Sequence, residues 1–242
     1  MKTKLTALLL ALITVLTISA PAFAADEFGR ESETYSDQTV VTEQQTEANI
    51  EEDISYITDS DDVVAYMYIC ATAKSLTGHV WLYFENVSDH DINVGYVTLG
   101  AGETTSVGSL RNSRTDGGGT YYNGEAYMAN GKSSVTNATI SLKEELTEAE
   151  LEKVSDAIES KNSYNIFFNN CGNFATSVWN KVSDKKMFHA CFPIITIMEM
   201  IAYGGIFGRV DMNSPDIADC YKQVSGGVKE AEASSFNLSC VW

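Results

Sequence analysis

Cys171 stands in the run Tyr164-Asn165-Ile166-Phe167-Phe168-Asn169-Asn170-Cys171-Gly172-Asn173-Phe174-Ala175. Phe174, Val178 and Val182 recur every four residues and Asn169 or Asn170 supplies a cap, so the spacing predicts a helix from Cys171 to about Val182. That puts the thiol in the first turn. A helix N-terminus stabilises a thiolate, the form of cysteine that attacks a carbonyl carbon. Periodicity alone would also fit a small apolar residue in a core helix. The asparagines before Cys171 and Gly172 after it favour an exposed turn that a substrate can approach closely.

A nucleophilic thiol needs a base, and the chain has three histidines. His79 follows Gly78 and opens the strand-like run His79-Val80-Trp81-Leu82-Tyr83-Phe84, so its ring lies near a strand end, where it could meet a helix start. His90 falls in a polar turn and His189 between helices. His79 is the expected partner of Cys171.

Other chemistries fit less well. Ala126 to Ser133 matches a loose phosphate-loop pattern, but the strand-like Val135 to Leu142 follows where a helix is required. Asp89-His90-Asp91-Ile92-Asn93 begins like a calcium loop, yet Val94 replaces the turn glycine and Gly100 stands where the bidentate glutamate belongs. His189-Ala190-Cys191 is too short to specify a metal, and the metalloprotease HExxH and serine-hydrolase GxSxG signatures are absent. No cofactor and no metal is expected. The sequons beginning at Asn86, Asn137 and Asn237 match chance in a chain rich in Asn, Ser and Thr.

The elements that must position Cys171 and His79 come in two blocks. Val63 to Ala73, Gly78 to Glu85, Ile92 to Leu99, Thr104 to Leu110, Tyr121 to Met128 and Val135 to Leu142 read as strands. Turn clusters at Asn86 to Asp91 and Gly100 to Gly102, and a glycine-rich loop at Ser113 to Gly119, separate them. From Thr147 the period changes. Thr147 to Glu150 is a capping box, and Leu151, Val154 and Ile158 mark a helix to about Lys161. A third helix starts at Pro193 and stops at Gly204-Gly205. Strands followed by helices predict an α+β fold, an antiparallel meander packed against helices.

The 242 residues carry 33 acids against 16 bases, a net charge of −17, which disfavours a nucleic-acid partner. The acidity is concentrated in Asp26 to Asp62, with 13 acids against Arg30 alone, a segment read as a disordered or propeptide-like leader. Before it, Lys2 and Lys4, an apolar stretch from Leu5 to Ile18 and Ala22-Phe23-Ala24 form a secretory signal cleaved after Ala24. That stretch falls short of the ~20 residues of a bilayer span, so no stable membrane insertion is expected. The organisation is therefore a signal over 1–24, a leader over 25–62, a catalytic domain over 63–208 and a polar C-terminal extension over 209–242. Five cysteines, at 70, 171, 191, 220 and 240, leave at least one unpaired within the chain. Cys70 is expected to be buried, and Cys220 and Cys240 are close enough in a polar region to bridge.

The Gly78-His79 strand opening, the meander after it and the Asn-Cys-x-x-Phe helix start together resemble the circularly permuted papain-like fold. Its members include permuted relatives of the NlpC-type cell-wall cysteine peptidases and the lecithin retinol acyltransferase group. In them the histidine strand precedes the nucleophile helix, the order seen here, and the resemblance spans roughly Val63 to Gly205. It implies Cys171 as nucleophile, His79 as base and a late helix from Pro193 beside the site. It also implies a polar residue, from the strand next to the histidine strand, that orients the imidazole. Asn93 is preferred for that role, with His90 as the alternative. The function implied is a secreted bacterial cysteine hydrolase, an amidase or endopeptidase acting on cell-wall peptide or another amide substrate. Two alternatives stay open: lipid acyl transfer or thioester-type hydrolysis on the same fold, and a non-catalytic secreted module. Oligomeric state is not readable.

Overall fold

Alternating side chains build the sheet. In the computed structural model, β1 (Ala65–Lys74) and β2 (Thr77–Asn86) pair antiparallel over their whole length, Ala65 opposite Asn86 and Lys74 opposite Thr77. Met67, Ile69 and Ala71 of β1 and Val80, Leu82 and Phe84 of β2 point into the main core. The intervening Cys70, Trp81 and Tyr83 form a smaller cluster on the opposite face, as a period of two requires. The structure describes residues 62–74, 77–110, 118–129, 139–165, 169–189, 192–208, 210–213 and 215–231. The signal segment, nearly all of the acidic leader, most of the glycine-rich loop, Cys191 and Cys240 lie outside them.

Six further strands, β5 (Thr104–Leu110), β6 (Gly119–Tyr122), β7 (Thr139–Leu146), β8 (Ile206–Phe207), β9 (Tyr221–Val224) and β10 (Gly227–Glu230), complete an eight-stranded sheet. Its order is β10-β9-β6-β5-β2-β1-β7-β8, and its described pairings are antiparallel. The 209–242 segment thus supplies two strands to the sheet, through β9 against β6.

Ile92 to Leu99 is two strands rather than one. β3 (Ile92–Val94) and β4 (Val97–Leu99) form a separate hairpin that turns at Gly95, whose φ is +55°. A Cβ there would stand 2.4 Å from the Tyr122 hydroxyl oxygen, which accepts a hydrogen bond from the Tyr96 N–H. Both constraints select glycine.

Tyr121 to Met128 also departs from expectation. The strand ends at Tyr122, Asn123 takes a left-handed φ of 59°, and helix α1 (Gly124–Ala129) follows. Three more helices are α2 (Glu148–Glu159), α3 (Cys171–Trp179) and α4 (Pro193–Ala202). α2 starts on the capping box, with the Thr147 N–H and hydroxyl both 3.1 Å from Glu150 Oε2. It buries Leu151, Val154 and Ile158 against the core. α3 buries Phe174, Ala175, Val178 and Trp179, but ends before Val182. The Asn180 side chain there grips both backbone groups of Met187, at 2.7 and 2.8 Å, and turns the chain away. α4 packs on β1, β2 and β7. The fold is a mixed α+β arrangement of an antiparallel sheet and a few helices. No described helix is long and apolar enough to cross a membrane.

Candidate active site

The sheet is interrupted where β2 meets β5. Their ladder runs from Glu85 opposite Thr104 to Leu82 opposite Val107 and stops there. Beyond that point β2 stays paired with β1, while β5 continues with β6 from Val107 to Leu110. His79 and Val80 therefore lie past the end of the β2–β5 ladder, free of β5.

The N-terminus of α3 meets β2 at this interruption. Asn165 and Asn169 exchange backbone hydrogen bonds of 3.0 Å, and the Asn169 amide clasps Ser163. Asn170 then caps the helix, its Oδ1 accepting from the Asn173 N–H at 3.0 Å. Cys171 is the next residue, 8% exposed, with a free thiol. The Cys171 sulfur is hydrogen-bonded by the His79 ring and by the backbone N–H groups of Val80 and Gly172.

On its other side His79 meets a residue the sequence reading did not single out. His79 Nε2 lies 2.9 Å from Glu125 Oε1, and both side chains are 3% exposed. With Nε2 engaged by the carboxylate, Nδ1 is the nitrogen left for the thiol. Glu125 is fixed from two further directions. The Ser106 hydroxyl donates to its Oε2 at 3.2 Å and accepts from the Ala126 N–H at 3.1 Å. Gly108 leaves the space its carboxylate fills, since a Cβ at 108 would stand 1.8 Å from Oε1. Trp81 stacks on the imidazole at 5.6 Å between centroids and 13° between planes, two residues along the same face of β2.

The electrostatics follow from this packing. Burial pushes the Cys171 thiol up, but His79 and the Val80 and Gly172 N–H groups outweigh it, and the thiol is held below its ordinary range. Burial lowers His79 in turn, and the opposing pull of Cys171 and Glu125 raises it to about 10. Both shifts favour the charged pair, thiolate and imidazolium, a nucleophile beside a proton donor. Cys70 contrasts with it: also a free thiol, it is fully buried opposite Trp81, and burial followed by the charge of Glu125 pushes it well up.

The residues expected to orient the imidazole lie elsewhere. Asn93 sits on the separate β3–β4 hairpin, exposed, with its Oδ1 accepting from the Thr98 hydroxyl at 2.8 Å. His90 is exposed too, 3.3 Å from Asp89 and 3.7 Å from Glu148. The position next to the ring belongs to Glu125, because the sheet neighbour of β2 is β5, on which α1 packs, and not β3. The Asn123-Gly124 dipeptide, a turn signal ahead of Glu-Ala-Tyr-Met-Ala, marked the end of the strand and the helix that carries Glu125.

His189 contacts Thr176 rather than a metal site, at 3.1 Å. Among the described residues no group of His, Cys, Asp and Glu could hold a metal ion. Cys220 is buried, its sulfur 3.5 Å from the Asn123 carbonyl, and its suggested partner Cys240 lies outside the described residues. Comparison with known protein families, with curated proteins and with solved structures finds no match for this chain.

Proposed function

We propose that this chain is an exported cysteine hydrolase of the circularly permuted papain-like kind, cleaving an amide bond in bacterial cell-wall peptide. The carrying observation is the buried row Cys171, His79, Glu125, with the histidine strand ahead of the nucleophile helix in the chain. The Cys171 thiolate attacks the carbonyl carbon, and the carbonyl π electrons move onto oxygen. The Cys171 backbone N–H, at the start of α3, serves as a donor for that oxyanion. Collapse expels the amine, which takes the proton of imidazolium Nδ1 and leaves a thioester. Neutral His79 then removes a proton from water as its oxygen attacks the thioester carbon. The acid departs, and the sulfur recovers its thiolate beside a protonated ring. Glu125 holds the ring's orientation throughout and offsets the positive charge it carries.

Incubation with muropeptides, followed by mass analysis of the fragments, tests this reading. Cys171→Ala should abolish cleavage while the circular dichroism spectrum is retained, and equal turnover by that variant refutes it.

One observation favours a second reading on the same fold, acyl transfer or hydrolysis at a lipid ester. Phe188, Phe192, Met198, Ile201, Ile206 and Phe207 are each about half exposed or more, and they cluster in sequence around α4 and β8. A panel of phospholipid and acyl-thioester substrates run beside muropeptides separates the two readings, with turnover of lipid alone displacing the first.

A further inference from the structure

Away from Cys171, one cleft gathers positive charge in an otherwise acidic chain. It opens between α2 and α3, encloses about 560 Å³, and is lined by Lys153 and Lys161 from the α2 side, Lys181 just past α3, and His189. Lys153 and Lys161 lie eight residues apart, on one face of α2 and its extension. The chain has 33 acids against 16 bases, yet none of these three lysines makes an ion pair among the described residues. Burial and then the repulsion of Lys181, which lines the same cleft, hold the Lys161 ammonium below its ordinary range.

Countercharges at the cleft do not balance it. Asp156 also lines it, and the carbonyl ends of α2 and α3 together supply about one further negative charge. Three ammonium groups exceed that by about one unit. The ring of His189 has a defined orientation as well. The Thr176 hydroxyl gives its hydrogen to the Gly172 carbonyl at 2.8 Å, so in the 3.1 Å contact with His189 the donor is Nδ1–H. Nε2 of the neutral ring is then an acceptor, so the donors that the cleft offers an oxyanion are the three ammonium groups.

We propose that this cleft binds a phosphate-class oxyanion, either free phosphate or the phosphodiester of a polymer. Ammonium groups act as point charges and reach such a group from several sides, whereas a planar carboxylate is best held by the fork of an arginine, and no arginine lines this cleft. The site is separate from the catalytic row and holds whichever bond Cys171 attacks.

The test is the melting temperature of the full chain, titrated with inorganic phosphate and with poly(glycerol phosphate), against sodium chloride of equal ionic strength. At ten times Kd, saturable binding should raise Tm by about 4 °C. Lys161→Gln combined with Lys181→Gln should remove the rise, and Lys185→Gln with Lys186→Gln, outside the cleft, should keep it. Lys153→Gln alone should weaken binding about fivefold, which serves if the double variant does not fold. A response to both ligands means the phosphate group suffices, and a response to the polymer alone identifies a phosphodiester; both support the site. It is overturned if neither ligand exceeds chloride, or if folded cleft variants respond like the parent chain.

Discussion

Gly108→Ala is the sharpest probe of the catalytic row, because it changes no group that does chemistry. The added methyl would sit 1.8 Å from Glu125 Oε1 and 2.7 Å from its carboxyl carbon, where ordinary contact begins near 3.4 Å. The carboxylate must therefore retreat by about 1.6 Å, and Oε1 cannot remain 2.9 Å from His79 Nε2. A charge-assisted hydrogen bond is worth about 1.5–3 kcal/mol, or about 10- to 150-fold in a rate that depends on it. The rate can be read without a substrate, as alkylation of Cys171 by iodoacetamide followed by peptide mapping. In Gly108→Ala the rate at pH 6 should fall by about that factor, and its pH midpoint should move up toward 9, the ordinary thiol value. In a Glu125→Ala background the methyl has room, so the double variant should react no more slowly than Glu125→Ala alone. Additive losses, or a Gly108→Ala profile equal to the parent's, would refute the assignment of Glu125.

Other outcomes follow from the same geometry. In the parent chain the alkylation rate should climb as Cys171 ionises below pH 9 and change again as His79 loses its proton near pH 10, because the thiol is lowered and the imidazole raised. His79→Ala should remove both features and bring the thiol midpoint up, measured by the same mapping. Asn93→Ala should leave the profile unchanged, since that amide bonds Thr98. Gly95→Ala should lower stability by about 1–3 kcal/mol in urea unfolding, from a left-handed φ of +55° and a clash with the Tyr122 hydroxyl.

What was legible in the sequence was local. A helix start announces itself through its cap and the period after it, so Cys171 could be placed in a first turn without knowing the sheet. Thr147 and Pro193 mark helix starts for the same reason. His79 needed only a strand opening. The orienting group depended on which strands become neighbours, and chain order misleads there. β3 follows β2 in sequence but folds onto β4, while β5 takes the place beside β2. Tyr121, Tyr122 and Tyr127 gave the segment around Glu125 the look of a strand, and a glutamate inside a strand suggests nothing catalytic. One left-handed residue, Asn123, turns that strand into a helix and aims the carboxylate inward.

The interruption of the ladder explains why such a row can exist. A thiolate, an imidazolium and a carboxylate within a buried site carry a net negative charge, which is unfavourable unless donors replace the lost water. Continuous sheet has none to give, because each inner N–H already bonds the next strand. Where β2 outruns β5, the Val80 N–H is released to the sulfur, and α3 presents the Gly172 N–H from its orphan first turn. On the far side, Ser106 gives its hydroxyl hydrogen to the Glu125 carboxylate, which can only accept, and itself accepts from the Ala126 N–H. The sulfur end of the charged row is thus met by donors that the divergence of two strands makes available, and the carboxylate end by a side chain of β5 where it is still paired with β2. Restoring the ladder would remove the gap, the donors and the low-pKa thiol together, so the position of the site follows from that divergence as much as from the identity of its three residues.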